Sequence, residues 1–197
     1  MPEAGNQTLT PELLLEAYSR GYFPMAESSD NNEIWWHSPD VRGIIPLDSF
    51  RCPGSLQKFI KKGLFRVTVN YDFSGVISAC AQSRSITRKD TWINDEIMDA
   101  YIKLHELGYA YSFETWQDSH MVGGLYGVAI DRAFFGESMF SLVSNASKVA
   151  LVYLVEWLMK NNYTLLDTQF ANDHLKQFGV TEISRLDYLK LLDEAIT

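Results

Sequence analysis

Along the chain, apolar residues recur at helical spacing in some stretches and alternate in others. Leu13, Leu14, Ala17 and Tyr18 form one stripe behind Thr10-Pro11-Glu12, which reads as an N-cap, a proline at the first helical position and an acid in the first turn. Gly21 is placed to end that helix, and Phe23-Pro24 forces an extended exit. Residues 27–33 are polar and have no period, and Trp35-Trp36 restores apolar bulk before Pro39. Residues 55–62 divide cleanly. At about 100° per residue, Leu56, Phe59 and Ile60 fall on one side, Lys58, Lys61 and Lys62 on the other, and Gly63 closes the helix.

From Arg66 onward the elements are longer. Residues 66–71 alternate as a strand, residues 72–81 form a short helix, and residues 82–90 form a polar loop carrying Arg84, Arg88 and Lys89. Asn94-Asp95 opens a helix with Ile97, Met98, Tyr101, Leu104 and His105 at helical spacing, and Gly108 stops it. Three strands are predicted at 109–116, 121–130 and 133–138, turning at Gln117-Asp118-Ser119 and at Asp131-Arg132. Ser144 or Asn145 caps a helix through Met159 that is apolar nearly all round and must be buried. A strand at 165–169 and a last helix at 187–195 complete the order.

A strand, two helices, a three-strand meander, a helix and a strand imply an α/β (α+β) protein with a mixed, mostly antiparallel sheet. Residues 1–46 are expected to be a small N-terminal domain, too short to stand alone, packed on a domain of residues 47–197.

Composition places the chain among ordinary globular proteins, at 46% hydrophobic and 21% charged. No apolar run approaches the roughly 18 residues of a membrane span, and the first residues lack the basic and apolar regions of a secretory signal. Two cysteines, Cys52 and Cys80, are too few for a disulfide framework or a zinc site, which fits a reducing cytoplasm. Four scattered histidines have no metal-ligand spacing, so neither metal nor cofactor is expected. The net charge of -8 argues against nucleic acid as a partner. Its distribution argues otherwise. No acid lies between Asp48 and Asp72, whereas Arg51, Lys58, Lys61, Lys62 and Arg66 do. That face is either a solvated lysine surface or a surface for phosphates.

The candidate chemistry gathers between Met121 and Phe170. Asp167 and Gln169 share one side of a strand end, and Glu137 sits among small residues in Gly136-Glu137-Ser138. Read from spacing alone, the first two could be a solvated strand end and Glu137 a paired structural carboxylate. No nucleophile elbow and no Ser–His or Cys–His arrangement is visible.

The strings AYSRGYFPM, WWHSPDVRGIIP, VGGLYGVAI, FGESMFS, NASKVAL and LLDTQFANDH, in register from about Leu9 to about Leu192, resemble the leucyl/phenylalanyl-tRNA–protein transferases. The resemblance implies a GNAT-like (acyl-CoA N-acyltransferase-like) fold. It also implies transfer of Leu, Phe or Met from aminoacyl-tRNA to the N-terminal Arg or Lys of acceptor proteins, marking them for N-degron-dependent degradation. It assigns Asp167, Gln169 and Glu137 to the reacting site, with Asp167 orienting Gln169 or attracting the acceptor ammonium, Gln169 bonding the attacking amine and Glu137 neutralising the acceptor's cationic end. Leu125, Phe134, Met139, Leu151, Leu154, Leu158 and Leu166 match the family's amino-acid pocket, although spacing alone makes them core. Trp92 matches the tryptophan on which the terminal adenine stacks, and Lys58, Lys61, Lys62 and Arg66 would meet the tRNA. Three positions depart from the pattern: Met25 stands where Trp is frequent, His37 follows Trp36 where aromatic or aliphatic residues are usual, and Gly54 replaces a basic residue. The chain also starts late relative to longer members.

Two other functions fit parts of this reading. A CoA-dependent N-acyltransferase needs a glycine-rich turn before the helix that follows the meander, and Ser141-Leu142-Val143-Ser144-Asn145-Ala146 has no glycine. A tRNA- or peptide-binding module without turnover is compatible with Met25 and Gly54.

Overall fold

The computed structural model describes residues 8–28, 33–83 and 91–196. The basic loop residues Arg84, Arg88 and Lys89 lie outside the described residues, as does the middle of the polar loop at 27–33.

In chain order the first elements are α1 (Pro11–Ser19), the strands β1 (Phe23–Ala26), β2 (Ile34–His37) and β3 (Val41–Ile44), and α2 (Gly54–Ile60). Strand β4 (Arg66–Val69) leads to helices α3 (Phe73–Gln82) and α4 (Asp95–Glu106), and then to the meander β5 (Ala110–Gln117), β6 (His120–Ile130) and β7 (Ala133–Ser141). Helix α5 (Ala146–Lys160), strand β8 (Leu165–Gln169), the short α6 (Asp173–Lys176), β9 (Thr181–Ser184) and α7 (Arg185–Ala195) follow.

Local chemistry sets the ends of these elements. Thr10 Oγ1 accepts from Leu13 N at 3.3 Å, and Gly21 adopts φ 78 beyond the helix. Asn94 caps α4 through its side chain, which accepts from Ile97 N at 2.9 Å. Asn145 sits at the start of α5 in the left-handed conformation with no side-chain cap, and Ser141 Oγ accepts from Ser147 N at 3.3 Å instead.

β1 and β2 pair as a separate hairpin, and the other seven strands form one mixed sheet in the order β4-β5-β6-β7-β8-β3-β9. Among the described strands only β7 and β8 run parallel, joined by the α5 crossover. An antiparallel meander continued by one helical crossover to a parallel neighbour is the acyltransferase-like layout expected. Val41–Ile44, on the N-terminal side of the division at residue 46, lies inside this sheet, between β8 and β9.

Each face of the sheet carries its own core. Leu14 and Tyr18 of α1, Phe23 of β1, Val76 and Ile77 of α3, Ile97 and Tyr101 of α4 and Tyr188 and Leu192 of α7 cover one face. Helix α5, Leu56 of α2, Leu175 and Phe178 cover the other. The buried stripe of α1 thus joins the same core as α3 and α4, which explains how so short an N-terminal segment is held.

Two irregularities in β7 make room for a site. Tyr126 pairs with Ser138 and Gly127 with Gly136, so Glu137 is an extra residue in a β-bulge. The bulge shifts the alternation: Phe134 and Met139 face one core, and Phe135 and Phe140 the other. Gly127 is required at this point, because a Cβ there would meet Phe135 O at 2.3 Å. The parallel pairing of β7 with β8 then ends at Phe135 and Asp167, and the two strands part.

Candidate active site

Where β7 and β8 part, a cavity of about 200 Å³ opens over α5. Gly136, Glu137, Ser138 and Met139 form one wall, Leu166, Thr168 and Asn172 the other, and Leu151, Leu154, Leu125, Tyr126 and Leu175 close it. Five of the sequence-assigned pocket residues, Leu125, Met139, Leu151, Leu154 and Leu166, line this space. Phe134 and Leu158 do not; both are fully buried in the core behind it. The sequence reading gave no role to Asn172, in the family string LLDTQFANDH; its Oδ1 accepts from Leu175 N at 2.9 Å and so caps α6 beside the cavity. That cap gives the Asn172-Asp173-His174 string a local reason. Thr168 Oγ1 is buried and has no hydrogen-bond partner among the described residues.

Glu137 is held by side chains from three elements. Tyr18 OH donates to its Oε1 at 2.6 Å and Gln169 Nε2 donates to the same oxygen at 2.9 Å, while Tyr101 OH reaches Oε2 at 3.4 Å. The two phenols also hydrogen-bond to each other. Burial dominates the electrostatics and pushes the Glu137 carboxyl up to about 7, against the stabilising bonds from Tyr18 and Gln169. Burial and the nearby Glu137 charge also drive both phenols well above their ordinary range. No signal of this kind was available from sequence, where Tyr18 and Tyr101 are only apolar-stripe positions.

Asp167 has a different setting. It is fully buried and does not line the cavity. Arg42 Nη2 lies 2.6 Å from Oδ2, Arg42 Nε is 3.0 Å from Oδ1, and Tyr188 OH donates to Oδ2 at 2.8 Å. Its Oδ1 also accepts from Gln169 N at 2.8 Å. The strand end therefore brings Gln169 and Glu137 together and sets Asp167 behind them.

The basic residues divide in the same way. Lys58 and Lys62 line a groove of about 180 Å³ between α2 and the start of α5, together with Lys148, Asn145, Ser55 and Gln177. Lys148 is the cation that sequence reasoning missed, because it lies far from the acid-free stretch. Lys61 and Arg66 are exposed but outside this groove, and the Arg66 guanidinium lies 5.4 Å over the Trp116 ring. A side chain at Gly54 would meet nothing within 4 Å. Trp92 does not line the cavity; it is half-buried and packs on the first core, as do Met25 and Trp36. His37 stacks on Phe23 at 5.8 Å, and burial lowers its pKa. Among the described residues no cluster of His, Cys, Asp and Glu is able to hold a metal ion, and no helix is long and apolar enough to cross a membrane.

A mixed sheet split beside a carboxylate and an apolar cavity fits the transferase layout expected from the sequence. Residues 44–193 match the family described as leucyl/phenylalanyl-tRNA protein transferase, and residues 7–40 match its N-terminal domain. A leucyl/phenylalanyl-tRNA–protein transferase of Rhodopseudomonas palustris (strain TIE-1) is 53% identical over 95% of this chain and 83% of its own. One of Nitrobacter winogradskyi is 51% identical over 98% of this chain and 86% of its own. Among solved structures, L-PGS from Bacillus licheniformis superposes with a TM-score of 0.49 at 12% identity, over 94% of this chain and 70% of that one. On the sequence matches, the chain belongs to the leucyl/phenylalanyl-tRNA–protein transferase family.

Proposed function

We propose that this chain moves leucine, phenylalanine or methionine from its tRNA to the N-terminal Arg or Lys of an acceptor protein, with Glu137 and Gln169 at the reacting centre. The observation that carries the reading is an apolar cavity with Glu137 in its wall and the buried Gln169, which does not itself line the cavity, bonded to that carboxylate. The aminoacyl ester is already activated, so the protein has to position two substrates, supply a neutral amine and stabilise charge on the carbonyl oxygen. An unbranched or γ-branched apolar side chain suits walls of Leu and Met, which adapt to Leu, Phe and Met and give no partner to a charge.

The acceptor arrives as an ammonium, with a pKa of about 7.7–8.0 for an α-amino group. Ionised Glu137 takes one of its protons and leaves the neutral amine. The amine nitrogen attacks the ester carbon, a C–N bond forms, and the bond from carbon to the ribose oxygen breaks. The second proton passes from nitrogen to that oxygen, so the tRNA departs with a free hydroxyl, and Glu137 returns its proton to water. A carboxyl near 7 is matched to this exchange. The same carboxylate favours a cationic acceptor. Because Gln169 Nε2 is turned to Glu137, its amide oxygen is left to accept an N–H of the amine.

The groove of Lys58, Lys62 and Lys148 supplies phosphate contacts for the tRNA, with Lys61 and Arg66 adding to the field around it. Trp92 is given the terminal adenine; stacking one base contributes about 1–3 kcal/mol. The test is labelling of Arg-, Lys-, Asp- and Met-ended peptides from radiolabelled Leu-tRNA. Label confined to the Arg and Lys peptides is expected. Equal labelling of all four, or charged tRNA that binds without transfer, overturns the reading.

A further inference from the structure

Arg42 lies outside the cavity and the transfer chemistry makes no use of it, yet it is the most elaborately held cation among the described residues. Its side chain is 1% exposed, in mid-strand on β3. The guanidinium lies between two rings, 4.6 Å from the Phe23 centroid and 4.4 Å from that of Tyr188. Nη1 donates to Gly21 O at 3.1 Å and Nη2 to Tyr188 OH at 3.3 Å, while Nε donates to Oδ1 and Nη2 to Oδ2 of Asp167. One side chain therefore joins the end of α1, β1, α7 and β8.

The consequence is felt two residues further along β8. Gln169 has φ 62, a conformation that side-chain-bearing residues seldom adopt. Its N–H is taken by Asp167 Oδ1 at 2.8 Å. Across the sheet Gln169 is paired with Gly43, where a Cβ would meet Ala171 N and the Phe170 carbonyl carbon at 2.6 Å. The bend that aims the Gln169 amide at Glu137 is thus fixed from behind by Asp167, and Asp167 is fixed by Arg42.

We propose that Arg42, backed by Tyr188, is a positioning residue for aminoacyl transfer: it holds Asp167 in the place from which Asp167 caps the Gln169 bend and keeps the Gln169 amide on Glu137. The proposal rests on the reading of Glu137 and Gln169 as the reacting centre. Five groups face Glu137, namely Tyr18 of α1, Tyr101 of α4, Gln169 and Asp167 of β8 and Arg42 of β3, with Tyr188 of α7 behind the last two. Of the charges among them, Arg42 favours the Glu137 anion and Asp167 opposes it. The two members of the pair therefore act on Glu137 with opposite signs.

The experiment compares Arg42→Gln, Asp167→Asn, Tyr188→Phe and the Arg42→Gln/Asp167→Asn double variant with the parent in peptide labelling. It reads kcat and the KM for charged tRNA separately, across pH. Turnover should fall between about 10- and 10²-fold in the two single charge variants, with KM for the tRNA unchanged. The rise of kcat with pH should move up in Arg42→Gln and down in Asp167→Asn, and return towards the parent in the double variant. Tyr188→Phe removes one hydroxyl and should lower kcat with KM held. If Arg42→Gln fails to fold, Asp167→Asn and Tyr188→Phe decide the matter. A limb that stays in place in Asp167→Asn, with unchanged kcat in folded Tyr188→Phe, overturns the proposal, as do limbs that move the same way in both charge variants. A Glu137→Gln control that keeps the parent's limb counts against Glu137 instead, and the split between kcat and KM then judges Arg42 alone.

Discussion

Glu137 and Asp167 are carried by adjacent parallel strands, yet Asp167 is sealed under Arg42 and Tyr188 while Glu137 stands in a cavity wall between phenols and an amide. Asp167 meets a full cation and two further donors, the Gln169 N–H and the Tyr188 O–H, so its lone pairs are committed. Glu137 is partly buried, and among the described residues every hydrogen bond it receives comes from a neutral group. The first arrangement fixes geometry. The second leaves a carboxyl poised near 7, able to take up and release a proton. Two differences therefore set Glu137 apart from Asp167: its place in the cavity wall and the neutral character of its partners.

The sharpest way to break this comparison is to replace each acid by its amide. Glu137→Gln keeps the shape and should cut turnover by about 10²–10⁴-fold, the usual worth of a positioned acid–base group, with little loss of stability. Asp167→Asn leaves the buried Arg42 unmatched and should cost about 3–5 kcal/mol in denaturant unfolding. Equal stability losses in the two variants would erase the distinction between them.

Gln169→Ala comes next, with turnover down by about 10²–10³-fold, as when a preorganised hydrogen-bonding group is lost. Thermal unfolding of the same protein separates that effect from damage to the strand. Full activity in stable Gln169→Ala protein would remove Gln169 from the reacting centre.

A smaller effect is expected from Tyr18→Phe. It deletes a donor that favours ionised Glu137, so the carboxyl should titrate at higher pH and the rise of kcat should move with it. The fold itself should feel Glu137 through pH. Its carboxyl is raised above the ordinary carboxylate value, so between about 4.5 and about 7 the folded protein holds a proton that the unfolded chain has released. Stability of the parent should therefore fall as pH rises through that window, relative to Glu137→Gln. A flat difference between the two unfolding curves would contradict it.

Much of this was legible in the sequence wherever a residue's task is local. The spacing placed β8 at 165–169, Thr10 and Asn94 cap their helices as their types require, and five of the leucine and methionine positions line the cavity. What could not be read depends on pairing between distant segments. β1, β2, β3 and β9 have four residues each, too few for a period to declare itself. The bulge that frees Glu137 exists only in the register of β7 against β6. Tyr18 and Tyr101 meet across 83 positions of sequence, and Arg42, which looks like a solvated residue in Val41-Arg42-Gly43-Ile44, is buried by α7 and β8 from the other end of the chain.

The claim at the centre of the account is that the Glu137 carboxyl itself carries the acceptor's proton. It is tested most directly by following that carboxyl with carbon-13 NMR in glutamate-labelled protein, assigned by its absence from Glu137→Gln, alongside kcat for an Arg-ended peptide in the same buffers. A Glu137 titration near 7 that coincides with the rise of kcat in the parent is predicted, and in Glu137→Gln only the acceptor amine's own limb near ~8 should remain. A carboxyl that titrates in the ordinary range, or a rise of kcat near 7 that survives in Glu137→Gln, would contradict it.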